Sequence, residues 1–308
     1  MTKVYKSVLL CAFTIFTITA SAQSATPWNN KECAVVLTYD DAIDVDLDNV
    51  LPVLDSLHLT GTFYLIGASP VVNKRMDEWR AAAKKGNELG NHSLYHPCDG
   101  SLPGRSFVTA DHDLSKYTVY RAVSEVEANN TLLKAIDGKD VRTFAYPCGD
   151  LKIGDQYFYD KLKDEFAGAR GVTPGLQLVN EVDLANIRCY AINGESADYM
   201  ISLVKQAMQT HALLVFLFHG VGGGHNINVG LQDHSKLLHY KENKLDYSNN
   251  SNRPLNCNKI ISYCYNSNSS SNSNSSSSSS SNNNNNCCNN SSTSNSNSFN
   301  LSVEVEEL

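Results

Sequence analysis

Apolar segments alternate with longer amphipathic segments between residues 34 and 240, and this alternation most constrains the fold. The apolar segments predict strands at 34–39, 60–66, 88–91, 142–146, 168–171, 187–191 and 213–218. The amphipathic segments predict helices at 46–58, 74–85, 119–136, 156–165, 197–210 and 232–240. Strands joined by helices of this length pair in parallel through right-handed crossovers. Because no Gly-x-Gly-x-x-Gly sequence opens the first crossover, about seven such units favour an α/β barrel over an open sheet.

The first 22 residues have the pattern of a secretory signal peptide. Lys3 and Lys6 supply the positive start, residues 8–18 form the apolar core, and three small residues follow at 20–22. The apolar core is too short to span a bilayer, so an uncleaved anchor is the lesser alternative. We therefore expect residues 1–22 to be removed, and the mature protein to be secreted or at the cell surface without a membrane span.

Serine and asparagine dominate the C-terminal part of the chain, residues 246–308. Such a segment has too little apolar surface to offset the entropy that ordering would cost. It is therefore predicted to be a disordered, low-complexity tail. The remaining residues, 23–245, are predicted to form the working domain.

Two adjacent carboxylates, Asp40 and Asp41, follow the first predicted strand. In parallel α/β barrels, the carboxyl ends of the strands carry the catalytic groups. Because successive strand residues point to opposite sides, one carboxylate suits a metal ion and the other suits a proton. The alternative is that both belong to the first turn of a helix, where acidic residues are stabilising. This segment alone does not decide between the two.

Two histidines, His92 and His96, follow the third predicted strand. Two imidazoles at this spacing can converge on one ion from a helical turn or a tight loop. By itself, such a pair is more often two surface histidines that have this spacing by chance. Together with Asp41 it supplies two nitrogens and one oxygen and leaves a position for water, which is typical of catalytic zinc or another divalent transition metal. Ser93 stands where a His-Glu-x-x-His protease has its glutamate, which argues against that class.

Two more predicted strands end in notable polar segments. Residues 147–149, Pro-Cys-Gly, form a turn whose rigid proline and permissive glycine can direct a backbone N–H at a developing oxyanion. His219 ends the last strand and is a candidate general acid. Taken alone, residues 147–149 would be an ordinary turn, and His219 would more often be a core or capping histidine. Cys98 and Cys148 follow two motifs on the same predicted rim and are candidates for a disulfide.

Two N-glycosylation sequons lie within the domain, at 91–93 and at 129–131. The first overlaps a predicted metal ligand, so we expect Asn91 to be unmodified. The second begins at Asn129 on a polar helix end and is the sequon expected to carry sugar in a host that glycosylates.

Four segments together resemble the polysaccharide deacetylase family, the carbohydrate esterases with a NodB-type domain. Residues 38–42, Thr-Tyr-Asp-Asp-Ala, are similar to the family's Thr-Phe-Asp-Asp-Gly, and residues 92–96 match its His-Ser/Thr-x-x-His. Residues 146–149, Tyr-Pro-Cys-Gly, resemble the end of its Arg-Pro-Pro-Tyr-Gly, and residues 217–219 resemble its Leu-x-His. The segments occur in the family's order. The resemblance implies a distorted (β/α)7-type barrel and metal-dependent removal of acetyl groups from an acetylated polysaccharide or oligosaccharide.

The resemblance also implies a role for each motif residue. Asp41, His92 and His96 would bind zinc, which activates water and polarises the acetyl carbonyl. Asp40 would accept the proton of that water. Zinc and the backbone N–H of Cys148 would stabilise the oxyanion. The remaining motif residue, His219, would protonate the departing amine.

Two partners that the family supplies to these residues are missing from their usual places. Ala145 stands where the family has the arginine that orients the base. The candidate replacements are Arg142, Arg170 and Arg188. The Asp-x-x-Asp-Trp motif, whose acid pairs with the general-acid histidine, is also absent, and the candidates for that acid are Glu195 and Asp198.

The sequence thus predicts a secreted zinc-dependent hydrolase that removes N-acetyl groups from chitin, chitooligosaccharide or peptidoglycan. The enzymatic alternative is an O-acetyl (xylan) esterase. The non-enzymatic alternative is a catalytically weak sugar-binding or cell-surface protein on the same barrel, although a mere zinc site would not require Asp40. The signal peptide disfavours an intracellular amidohydrolase, and the formal net charge of -7 argues against a nucleic-acid partner.

Overall fold

Seven parallel strands form one curled sheet in the computed structural model, which describes residues 33–240. The strands are β1 (Ala34–Asp40), β2 (Thr62–Leu65), β3 (Glu88–Asn91), β4 (Phe144–Ala145), β5 (Ala169–Arg170), β6 (Tyr190–Ala191) and β7 (Leu213–Phe218). Their order across the sheet is β5-β4-β3-β2-β1-β7-β6, and every neighbouring pair is parallel. The seven predicted strands are therefore confirmed.

The two edges of the sheet meet at Ile187, just before β6. The N–H of Ile187 donates to the carbonyl of Ala169 at 2.8 Å, and the N–H of Gly171 donates to the carbonyl of Ile187 at 2.9 Å. These bonds join the segment entering β6 to β5. The sheet thus curls into the distorted α/β barrel that the resemblance implies.

Helices connect the strands and cover the outside of the sheet. They are α1 (Leu51–Ser56), which follows a π-helical turn at Asp46–Val50, α2 (Pro70–Lys74), α3 (Met76–Lys84), α4 (Val119–Asp137), α5 (Ala197–Thr210) and α6 (Leu231–Leu238). The longest, α4, begins where the Thr118 hydroxyl accepts a hydrogen bond from the N–H of Arg121, and it ends at Gly138 with a φ of 75°. Both features are common at the ends of helices. At the N-terminus a side-chain oxygen caps the free N–H groups, and at the C-terminus glycine adopts the left-handed conformation without strain.

The helix predicted at 156–165 is wrong. Lys152–Ile153 and Gln156–Tyr157 instead pair as an antiparallel hairpin, followed by a 3₁₀ turn at Phe158–Lys161. Gly154, with a φ of 58°, permits the two-residue turn of the hairpin. The apolar spacing that suggested a helix belongs to aromatic and aliphatic side chains of a separate buried cluster, which includes Phe158, Tyr159, Leu162 and Phe166.

The alternation of side chains along β1 and β7 directs their polar ends into the barrel. In β1, Val35, Leu37 and Tyr39 pack against the helices, whereas Ala34 and Val36 belong to a second cluster with Leu213, Val215 and Leu217 of β7. Because side chains alternate along a strand, Asp40 continues the inner series of β1 and His219 continues that of β7. The strand pattern thus brings these two ionisable groups to the same end of the barrel.

The predicted signal peptide (1–22) and the predicted tail (246–308) lie outside the described residues. Within residues 33–240, no helix combines the length and the apolar character that crossing a bilayer requires.

Candidate metal centre and hydrolytic site

Three predicted metal ligands converge beyond the carboxyl ends of β1 and β3. Asp41 Oδ1 lies 3.5 Å from Nε2 of His92 and 3.6 Å from Nε2 of His96. Two N or O ligands of a tetrahedral zinc ion, with bonds of about 2.0–2.1 Å, lie roughly 3.3 Å apart. Asp41 Oδ1 is buried and has no hydrogen-bond partner in the described structure. The three side chains therefore fit a divalent metal ion, which would satisfy this oxygen.

The two histidines are prepared to act as neutral ligands. The Nδ1 of His92 lies 2.8 Å from the carbonyl of Ala145, which can only accept, so Nε2 keeps its lone pair. Burial lowers the pKa of His92 to about 3 and that of His96 to about 4. Burial and the charge of Asp40 raise the pKa of Asp41, an effect that a bound cation would oppose.

The backbone around these residues is strained. Among the described residues, seven that are not glycine have a positive φ, and five of these belong to the motifs. The five are Asp41, Ala42, Ser93, His96 and Cys148. Such conformations cost about 1–3 kcal/mol each and concentrate at functional sites, where the surrounding structure holds them. The strain is thus located in the loops that carry the predicted ligands and the predicted oxyanion donor.

Asp40 is held by an arginine from the far side of the barrel. Nη2 of Arg170, in β5, donates to both carboxylate oxygens of Asp40 at 2.7 and 2.6 Å. Burial acts to raise the pKa of Asp40, but the charge and hydrogen bonds of Arg170, helped by His92, outweigh it and lower that pKa. Asp40 Oδ2 also lies 3.6 Å from Nε2 of His92. A carboxylate held ionised beside the metal ligands is suited to accept a proton.

The structure decides among the three candidate arginines. Arg142 instead pairs with Asp137 at 3.1 Å and donates to the carbonyl of Leu89 at 2.6 Å. The side chain of Arg188 packs against Gly175. Arg170 alone among the three contacts Asp40.

His219 faces the same centre but lacks the acid expected beside it. Its Nε2 lies 3.9 Å from Asp41 Oδ2, while its buried Nδ1 has no hydrogen-bond partner in the described structure. The expected acids lie elsewhere, because Asp198 pairs with Lys236 and Glu195 accepts from the N–H of Asn193. The prediction that one of them orients His219 is therefore wrong.

A second histidine, which the motif analysis missed, stacks on His219. The ring centroids of His219 and His225 are 4.9 Å apart with an interplanar angle of 16°. Nε2 of His225 lies 4.0 Å from Asp41 Oδ2. His225 follows three glycines at 222–224, which are typical of a flexible loop but do not indicate this contact. Burial lowers the pKa of His219, although Asp40 and Asp41 oppose this effect.

The protein-family model described as polysaccharide deacetylase matches residues 29–163. The chain carries a polysaccharide deacetylase domain. The family resemblance drawn from the motifs is thus confirmed. The match includes the predicted metal ligands, whereas Arg170 and His219 lie beyond it.

Individual proteins resemble this chain only distantly. The uncharacterized protein YlxY of Bacillus subtilis (strain 168) is 28% identical over 106 residues, which cover 34% of this chain and 28% of YlxY. The crystal structure of a polysaccharide deacetylase from Bacillus cereus is 18% identical, with a TM-score of 0.42, over 67% of this chain and 85% of that one. The Xyl-CE4 domain of a multidomain xylanase from the hindgut metagenome of Trinervitermes trinervoides is 19% identical, with a TM-score of 0.43, over 68% of this chain and 82% of that one. These similarities do not assign a substrate.

An asparagine of α4 supports the histidine loop of the deacetylase domain. Nδ2 of Asn129 lies 3.0 Å from each of three oxygens: the carbonyls of Leu65 and Ser93 and Oδ1 of Asn91. These contacts fix the backbone on both sides of His92. Because Asn129 is fully buried, its amide is inaccessible in the folded domain, and the glycosylation predicted there is wrong.

The loop after His96 is fastened to the turn that carries Cys148, the predicted oxyanion donor. Cys98 and Cys148 form the disulfide for which the sequence made them candidates, with Cα atoms 5.7 Å apart. Arg105 pairs with Asp150 at 3.1 Å, and Asp150 also accepts from the N–H of Asp99 at 2.8 Å. The disulfide and these polar contacts hold the two loops together at one side of the site.

Replacing Cys98 and Cys148 with serine is expected to lower the free energy of unfolding by about 4 kcal/mol. The cysteines are 50 residues apart, and a cross-link over that length removes much chain entropy from the unfolded state. Urea unfolding followed by circular dichroism measures the change. Either single serine variant should lose as much as the double variant, and a loss below about 1 kcal/mol would contradict the prediction.

Proposed function

We propose that this protein is a secreted, zinc-dependent deacetylase that removes N-acetyl groups from chitin, chitooligosaccharide or peptidoglycan. The observation that carries the proposal is the ion pair of Asp40 with Arg170 beside the metal ligands. Both side chains are almost fully buried, with 4% and 2% exposed. A buried ion pair is costly to desolvate and is weak evidence for a purely stabilising role. A protein that only bound sugar or zinc would not need a second, ionised carboxylate at this place.

Asp41, His92 and His96 would hold the metal ion. A zinc ion bound there would supply Lewis-acid polarisation of the acetyl carbonyl and a lowered pKa for water. Asp40, kept ionised by Arg170, accepts the proton as the water attacks the acetyl carbon. Because Arg170 stays charged throughout, it holds the carboxylate in place while the proton is transferred.

Two further groups serve the later part of the reaction. The backbone N–H of Cys148, in a turn held by the disulfide and by Gly149, donates to the developing oxyanion. His219 protonates the sugar nitrogen, so that the departing group is a neutral amine and the second product is acetate. His219 stacks on His225 instead of pairing with an acid. The position of the His219 ring therefore depends on packing.

The test is acetate release by purified residues 23–308 from chitooligosaccharide, peptidoglycan and acetylated xylan, with zinc and with a chelator. Asp40→Asn is expected to lower the rate about 10²–10⁴-fold while keeping one equivalent of zinc, because it removes the base and not a ligand. Asp41→Asn is expected to lose both zinc and activity. Asp44→Asn is the matched control, since the Asp44 carboxylate is largely exposed and pairs with Arg75 on the surface.

Each result has a definite meaning. Release from xylan alone would replace the N-acetyl substrate by an O-acetyl ester. Stoichiometric zinc binding without acetate from any polymer would favour the sugar-binding protein. No zinc binding at all would contradict the assignment of the metal ligands.

A further inference from the structure

His96 presents its two ring nitrogens to two different groups. Its Nε2 lies 3.6 Å from Asp41 Oδ1, within the proposed zinc site. Its Nδ1 lies 3.6 Å from Sγ of Cys98, which is bonded to Sγ of Cys148. One imidazole thus lies between the ligand set of the deacetylase and a disulfide.

We propose that reduction of the Cys98–Cys148 disulfide creates a second metal site, formed by His96 Nδ1 and the two thiolates. Its ion would be a thiophilic divalent metal such as zinc, and the site would compete with Asp41 and His92 for His96. The proposal rests on the metal site of the proposed function, but not on acetyl hydrolysis.

The geometry of the three residues suits such a site. A ligand atom from each of His96, Cys98 and Cys148 lies within 4.8 Å of the other two. Nitrogen and sulfur ligands of one tetrahedral zinc ion, with bonds of about 2.0–2.1 and 2.3 Å, lie about 3.6 Å apart. This is the separation already present between His96 and Cys98. After reduction, side-chain rotation alone would bring the two sulfurs to the separation of about 3.8 Å that a common zinc ion requires.

The chemistry explains why the two sites exclude each other. A dithiol of the thiol–disulfide oxidoreductase class supplies two electrons and two protons and becomes a disulfide itself, leaving two thiols on the protein. Metal binding then releases both thiol protons. Thiolates are softer ligands than a carboxylate and favour zinc more strongly. A neutral imidazole has one lone-pair nitrogen, so His96 serves one ion at a time. Reduction would therefore weaken metal binding at the deacetylase site.

Accessibility favours attack at one of the two sulfurs. Cys98 is buried, whereas Cys148 is partly exposed. An external thiolate would therefore attack Cys148 first, releasing Cys98 next to His96.

The test is a cobalt(II) titration of the full chain, oxidised and after reduction by a water-soluble phosphine. The phosphine becomes its oxide with an oxygen from water, and the disulfide becomes two thiols. We expect the reduced protein to show thiolate-to-cobalt charge-transfer absorption in the near ultraviolet at one equivalent, and the oxidised protein to lack it. The matched control is Cys98→Ser/Cys148→Ser, which keeps the other seven of the nine cysteines and should lack this absorption after reduction.

Two further variants separate this site from the deacetylase site. Reduced Asp41→Asn should keep the absorption, because Asp41 belongs only to the other site. Reduced His96→Ala should bind cobalt with thiolate absorption at least about tenfold more weakly, because it lacks the third ligand.

Three outcomes would overturn the proposal: equal spectra for the reduced wild type and the double serine variant, unchanged affinity of reduced His96→Ala, or loss of the far-ultraviolet circular dichroism on reduction. The last would show that the disulfide maintains the fold and does not mask a site. Thiolate absorption in a protein that releases no acetate from any polymer would reject the proposed function and retain this second site.

Discussion

Replacing Arg170 with methionine is expected to lower the free energy of unfolding at pH 7 by about 3–5 kcal/mol. Asp40 would remain buried without the guanidinium that now donates to both of its oxygens. The matched variant is Asp40→Asn/Arg170→Met, which removes both charges and should recover most of the loss. Urea unfolding of the wild type, both single variants and the double variant gives the coupling free energy.

The pH dependence of this loss follows from the pKa of Asp40. That pKa is lowered in the folded protein, so the ion pair contributes stability above the unfolded pKa of about 3.9 and loses it as the pH falls through the folded value. Without Arg170, burial raises the pKa of Asp40 above its unfolded value. The deficit of Arg170→Met should therefore be largest near pH 7 and should shrink towards pH 4, as Asp40 becomes protonated. A deficit that is independent of pH would show that Arg170 stabilises by packing alone.

Replacing His219 with glutamine is expected to lower acetate release from chitooligosaccharide about 10²–10⁴-fold. The sugar amine leaves poorly unless it is protonated, and His219 is the group placed to protonate it. Hydrolysis of 4-nitrophenyl acetate should fall far less, because its leaving phenolate needs no proton. The ratio of the two rates, measured on the same zinc-loaded preparation, reports the acid role apart from any change in metal content.

The control for this prediction is His239→Gln. His239 is exposed after the end of α6 and lies outside the site. It should change neither rate. An equal loss on the amide and the activated ester in His219→Gln would contradict the acid role and point to a disturbed metal site.

The sequence predicted those parts of the site whose residues lie close together in the sequence. Asp40 and Asp41 are adjacent, and His92 and His96 share one loop, so each pair is recognisable in a short segment. The strand that carries Asp40 was predictable because its apolar run, residues 34–37, is typical of a buried strand. The helix predicted at 156–165 failed for a different reason. Its periodically spaced apolar residues pack into a tertiary cluster without forming a helix.

The sequence by itself determined the seven-stranded α/β architecture, the polysaccharide deacetylase motifs and the order in which they meet at one end of the barrel. Only the tertiary structure decided which distant groups complete the site. Arg170 reaches Asp40 across 130 residues of sequence, and His225 takes the place beside His219 where an acid was expected. The physical reason is that strand and turn formation depend on local residue pattern, whereas the partner of a buried charge depends on which side chains the curled sheet brings into its interior.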